Sequence, residues 1–112
     1  MKIAVPLVGE LLSTHFGRCE EFALCEVDAD AKAIVRKEAF PSPPHEPGLL
    51  PQWLHEKGAN VIITSGMGPR AQQLFAQLGI EVVLGATGGT AEELVAAYLE
   101  RTLESGENPC DH

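Results

Sequence analysis

Hydrophobic positions along this chain change their period about a third of the way through. Residues 2–6 form a short apolar run that predicts a strand ended by Pro6. Residues 7–21 mix Gly9, Gly17 and polar side chains and predict a long loop. Residues 22–28 and 33–39 predict two further strands, joined by a hairpin turn over residues 28–31. Four prolines then fall within residues 41–48, which excludes a helix or a central strand there.

Beyond the prolines the period becomes helical. Leu50, Trp53 and Leu54 share one helix face, and Gly58 supplies the stop. Residues 60–64 are an apolar strand. Ala71, Leu74, Phe75 and Leu78 follow the i, i+3, i+4, i+7 rule in a helix that Pro69 opens and Gly79 closes. Residues 80–84 predict a last strand, and Leu94, Val95, Tyr98 and Leu99 a last helix. Thr90 with Glu93 three residues on reads as its capping box. The order βββ-αβαβα predicts one α/β domain over residues 1–112, with a terminal tail from about residue 104. Its second half needs parallel strands and right-handed crossovers, and its first half is an antiparallel meander. The result is a mixed five-stranded sheet with helices on its faces.

Length and composition agree with one domain. The chain has 112 residues, of which 45% are hydrophobic, enough for a core. Eight basic residues against sixteen acidic ones give a net charge of −8, which argues against nucleic acid and anionic membrane surfaces as partners. No apolar run reaches membrane-spanning length, and the first residues do not read as a signal peptide, so a cytoplasmic protein is expected. Three cysteines, Cys19, Cys25 and Cys110, without a C-x-x-C pair argue against a disulfide scaffold or a zinc knuckle. Cys25 reads as core, and His45 and His55 as exposed.

Candidate chemistry falls in loops that leave the carboxyl ends of parallel strands, where ligands bind sheets of this kind. The loop 65–70 holds Gly66, Met67, Gly68, Pro69 and Arg70 at the start of a helix. Free amides and the helix dipole there favour an anion. It also reads as a plain βα turn needing positive φ, and it has neither Walker nor dinucleotide spacing. The loop 85–90, with Gly88 and Thr90, follows the same logic and equally reads as a turn. The first loop holds His15, Phe16, Gly17, Arg18 and Cys19. Imidazole and thiolate are metal ligands, and Arg18 attracts anions. The chain closes on Cys110, Asp111 and His112, which read as a metal clip or as a plain terminal tail. A last helix of about 18 Å and a following stretch that can extend about 30 Å allow a joint His15, Cys110 and His112 site. Residues 86–112 carry six acidic residues and one basic one, most simply a solvated face. No catalytic set emerges, and a nuclease is rejected on charge and on the missing carboxylate cluster.

Several stretches together resemble one family. They are Met1-Lys2-Ile3-Ala4-Val5-Pro6, Ser13-Thr14-His15-Phe16-Gly17-Arg18, Phe22-Ala23, Gly48-Leu49-Leu50-Pro51-Gln52-Trp53-Leu54, Val61-Ile62-Ile63-Thr64-Ser65-Gly66-Met67-Gly68-Pro69-Arg70-Ala71, Leu78-Gly79-Ile80 and Cys110-Asp111-His112. The chain resembles the dinitrogenase iron–molybdenum cofactor biosynthesis family, of the NifX-like and NifB carboxyl-terminal type, to which the orange protein is related. The resemblance implies a ribonuclease-H-like motif with strand order 3-2-1-4-5. It implies a non-enzymatic carrier of iron–molybdenum cofactor, of an iron–sulfur precursor or of a molybdenum–copper sulfide cluster, with a client or donor protein of cofactor assembly as a possible partner. Carried over by motif, His15 is the cluster contact, and Arg18 with the amides of residues 66–70 faces an anionic cluster. Two other readings remain open without metal: a small-anion or nucleotide-binding regulatory module using Gly66, Gly68, Arg70, Gly88 and Thr90, and an accessory domain acting through protein contacts at Glu92 and Glu93.

Overall fold

The computed structural model describes residues 1–13, 16, 19–28, 30–43 and 49–100. Strands β1 (Lys2–Val8), β2 (Leu11–Leu12), β3 (Glu21–Asp28) and β4 (Ala33–Pro41) come first. Helix α1 (Leu49–Glu56), strand β5 (Val61–Ile63), helix α2 (Pro69–Gln77), strand β6 (Glu81–Val83) and helix α3 (Ala91–Leu99) follow. The sheet runs β4-β3-β1-β5-β6, with β2 paired to the end of β1. With the two-residue β2 set aside, this is the expected order 3-2-1-4-5. β1 is antiparallel to β3 and parallel to β5, and β5 is parallel to β6.

Central position explains the apolar runs. β1 and β5 are covered on both faces, so successive residues enter opposite cores. Ile3, Val5, Val61 and Ile63 join Leu94 and Val95 of α3 on one face. Ala4 and Ile62 join Leu50 and Leu54 of α1 and Phe75 of α2 on the other. Cys25 is fully buried and His55 exposed, as expected. Trp53 is only half-buried, against Phe22 and Phe40. His45 lies outside the described residues.

The expectations for the first third need correction. β1 does not stop at Pro6 but continues to Val8, and part of the expected loop 7–21 is a hairpin with β2. The physical reason lies in which way each residue faces. Val27 N–H donates to the Met1 carbonyl and Glu20 N–H to that of Leu7, so the odd-numbered residues of β1 face β3. Asn60 N–H donates to the Lys2 carbonyl and Ser13 N–H to that of Pro6, so the even-numbered residues face the β5 side. Pairing with β5 has already ended at Ala4. The proline therefore removes a donor that the ladder does not use.

Helix ends follow their sequence signals. Thr90 Oγ1 accepts from Glu93 N–H, and the Glu93 carboxylate accepts from Thr90 N–H, closing the capping box. α3 is tied to the sheet by the Tyr98 hydroxyl donating to Glu81 at 2.7 Å and by an ion pair of Lys37 with Glu92 at 2.9 Å. The hydrogen bond to Glu92 holds the Lys37 ammonium above its ordinary range, and the same bond holds the Glu92 carboxyl below its own. This tether is at full strength between the two ranges. It weakens in acid as Glu92 takes up a proton and in base as Lys37 loses one.

Phe75 carries the packing of α2 on the sheet and is fully buried. Phe75→Ala is expected to cost about 3–5 kcal/mol, and Thr90→Ala about 1 kcal/mol. Urea denaturation measures both, and a loss below about 1 kcal/mol at Phe75 contradicts the packing described.

Candidate functional site at the carboxyl edge of the parallel strands

The carboxyl ends of β1, β5 and β6 open on one edge, and backbone hydrogen bonds knit their loops together. Thr64 N–H donates to the Val83 carbonyl, Gly85 N–H to that of Ser65 and Ala86 N–H to that of Thr64, which joins the second and third loops. Leu12 N–H donates to the Gly89 carbonyl at 2.9 Å, which joins the first and third. Thr64, fully buried, turns its hydroxyl onto the Gly66 carbonyl. Gly9 N–H donates to the Glu20 carboxylate and fixes the hairpin tip.

Phe16 anchors the first loop. It is buried, edge-on to Phe22 at 5.8 Å and to Phe75 at 5.5 Å between ring centres. Its ring thus packs the first loop directly onto α2. His15, Gly17 and Arg18, which flank it in sequence, lie outside the described residues, as do Cys110 and His112. Among the described residues, no group of three or more His, Cys, Asp or Glu side chains is placed to hold a metal ion.

The second and third loops, alike in sequence, differ in what they leave open. At α2 the N-cap is Gly68, which has no side chain to cap with, and Pro69 follows as the first helical residue. The first turn has no acidic residue, and Arg70 is exposed. Among the described residues, no side chain caps the amides of Arg70 and Ala71, at the positive end of the helix dipole. Met67 itself is buried in the core, with its carbonyl accepting from the Gln72 side chain. Gly68 has φ −66°, so the positive-φ turn expected here is not required at this glycine. Positive φ belongs instead to the third loop, at Gly85, Gly88 and Gly89.

At α3 the third-residue amide, Glu93 N–H, is already taken by the Thr90 hydroxyl. Glu93 folds back so that its carboxylate accepts from both the N–H and the hydroxyl of Thr90. A negative charge thus sits at the start of this helix, beside Gly89. Of the two helix starts on this edge, that of α2 has no acidic residue in its first turn, whereas that of α3 has Glu92 and Glu93. The capping box is legible in the sequence. Its consequence, that the third loop is self-occupied, needs only the further step that N3 is an acid.

The cysteine of the first loop, Cys19, is turned inward with its thiol toward the Ser42 hydroxyl at 3.8 Å. Burial pushes the thiol pKa up, partly offset by that contact. Burial also raises Cys25. Both are protonated at neutral pH and are not thiolate ligands in this state. With Cys110→Ser as the background, the folded protein is expected to react slowly with a disulfide reagent at pH 7, and fast only in denaturant. Rapid reaction of a native thiol contradicts the placement of Cys19.

The dinitrogenase iron-molybdenum cofactor family model matches residues 1–101. The chain is 34% identical to protein MJ0580 of Methanocaldococcus jannaschii over 96% of its own length and 92% of the relative's. The crystal structure of PH0822 superposes with a TM-score of 0.85 at 29% identity, covering 94% of each chain. The apo form of the orange protein from Desulfovibrio gigas superposes at 0.72, also at 29% identity, covering 96% of this chain and 94% of that one. The strand order and the extent of the match agree, and the chain belongs to the dinitrogenase iron-molybdenum cofactor family.

Proposed function

We propose that this protein is a non-enzymatic carrier of an anionic metal–sulfur cluster, of the iron–molybdenum type, of an iron–sulfur precursor or of a molybdenum–copper sulfide type. The family's link to iron–molybdenum cofactor supports a cargo of this class. One observation carries the reading to this edge: the N-terminus of α2 is uncapped and free of acids, beside the exposed Arg70, in a chain of net charge −8. An open positive end on an acidic protein is suited to a small, compact anion rather than to a polyanion, which the overall charge repels.

In this reading His15 is the metal contact, with Cys110 and His112 as further ligands. Imidazole and thiolate suit iron and copper. Arg18, Arg70 and the amides of Gly66, Gly68 and Arg70 face the cargo's negative sulfides. Phe16 and Met67 hold the first and second loops to the core and act through their backbone. The cluster is cargo, so no bond in it needs to be broken by the protein. The described edge offers a positive, partly preorganised surface and no thiolate that would compete for the metal.

The test is reconstitution under anaerobic conditions with tetrathiomolybdate plus copper, and separately with iron plus sulfide. Elemental analysis and the absorption spectrum read the outcome. Stoichiometric metal with charge-transfer bands is expected, lost in His15→Ala and weakened roughly tenfold or more in Arg70→Ala, the scale of a charge-assisted hydrogen bond. Full retention in His15→Ala removes the ligand assignment. A colourless protein that instead gives calorimetric heat with phosphate or a nucleotide replaces the carrier with an anion-binding module.

A further inference from the structure

The longest edge strand of the sheet, β4, is bonded on one side only. β4 is nine residues long and lies outermost, whereas β6 at the opposite edge has three. The direction in which β4 faces follows from its neighbours. Val27 N–H donates to the Met1 carbonyl, so odd-numbered residues of β3 bond to β1 and its even-numbered residues bond to β4. Their partners are Arg36, Glu38 and Phe40, and Ser42 N–H donating to the Glu20 carbonyl continues the same series. Lys37 and Ala39 therefore turn their N–H and C=O groups outward. An unpaired row of this kind is a template for another strand.

The side chains restrict what that strand can be. Arg36 and Glu38 lie on one face of β4, two residues apart, and already form an ion pair with each other. Two copies of β4 placed antiparallel can match in several registers. Centring on Arg36 sets two arginines opposite each other, and centring on Glu38 sets two glutamates opposite. Centring on Lys37 places Arg36 of each copy opposite Glu38 of the other and joins the outward-facing Lys37 groups as a hydrogen-bonded pair. On the far face, each Lys37 ammonium is already neutralised by its own Glu92. The same register sets Val35, 68% exposed and the most exposed large hydrophobic residue described, opposite Ala39. On the Arg36 face, Glu56 and Lys57 at the end of α1 stand along the inner side of the strand, with Lys57 over the Phe40 ring. The outer strip of sheet there is an open groove of about 370 Å³, floored by Leu24, Glu26, Arg36, Glu38 and Phe40.

We propose that this chain forms a two-fold dimer through antiparallel pairing of β4 with β4 of a second copy, centred on Lys37, with Arg36 and Glu38 crossing the seam as two ion pairs. The β-bulge at the Glu26/Val27 register shift, where Val35 is the extra residue, limits the ladder to residues 35–39. So short a ladder buries well under the ~1,000 Å² of a stable interface, which makes the dimer reversible and dependent on concentration and salt. The candidate site lies at the carboxyl edge of β1, β5 and β6, away from the seam strand, so the pairing is independent of cargo.

Sedimentation velocity from micromolar to millimolar protein, at low and high salt, tests this on the full chain. A monomer–dimer equilibrium is expected that salt shifts toward monomer. Arg36→Glu alone and Glu38→Arg alone are each expected to weaken it roughly tenfold or more, since each replaces two attractive cross-strand pairs by repulsive ones. Mixing the two single variants restores association, because one copy then carries two acids at the seam and the other two bases. All of these positions are exposed or half-exposed, and circular dichroism checks that the variants stay folded. A monomer at every concentration in low salt overturns the proposal. So does a dimer that either single reversal leaves unchanged, or one that mixing fails to restore, since association would then run through another surface or, for an extended peptide ligand, through another partner.

Discussion

Everything on this fold hangs from β1 having two kinds of neighbour. Its odd-numbered residues bond to β3 in an antiparallel ladder, and its even-numbered residues bond on the other side to β5 in a parallel one. Antiparallel pairing lets the chain return at once, so the β3–β4 half needs no helices of its own. Parallel pairing demands crossovers, so α1 and α2 are spent on the β5–β6 half. The same change of direction gathers three loops at one edge and leaves β4 outermost and bare at the other. Site and seam are two consequences of one pairing choice.

The edge then owes its polarity to two helix starts that look alike in sequence and act oppositely. At α2 a glycine N-cap and a following proline leave the amides uncapped, and the first turn carries no acid. At α3 the Glu93 carboxylate accepts from Thr90 N–H while the Thr90 hydroxyl accepts from Glu93 N–H, so cap and acid satisfy each other. Each arrangement is ordinary for a helix. Side by side they make an edge with one open positive end and one closed by its own carboxylate. The net charge of −8 makes that asymmetry matter, because an anion approaching an acidic protein gains only where local amides and Arg70 outweigh the general repulsion.

Much of this is legible in the residues. The period change after the prolines, Pro69 at the head of α2, Gly79 at its end and the Thr90–Glu93 box each predict an element that is present. These signals are local, and local hydrogen bonding decides them. The loop expected over residues 7–21 fails because it takes Pro6 as a breaker without knowing which side of β1 its nitrogen faces. That depends on the register of β3, which no local signal carries. The hairpin itself leaves a trace, with Gly9 and Glu10 standing between two apolar pairs. Trp53 shares the helix face of Leu50 and Leu54 by spacing, yet it lies over Phe40 near the sheet margin and is only half-buried. Of the proposed site, the second loop can be read from its residues, whereas His15, Cys110 and His112 rest on motif and reach.

The cysteines close the argument about ligation. A thiol serves a metal only as thiolate, and the two described cysteines are both withdrawn into the core with their acidity suppressed by burial. Cys19 faces Ser42 and Cys25 lies beneath the Lys37–Glu92 pair, so neither is presented to the edge. With both withdrawn, the described part of the edge presents helix-start amides and the Arg70 guanidinium rather than thiolates. In the carrier proposed above, any coordinate bond is left to His15, Cys110 and His112.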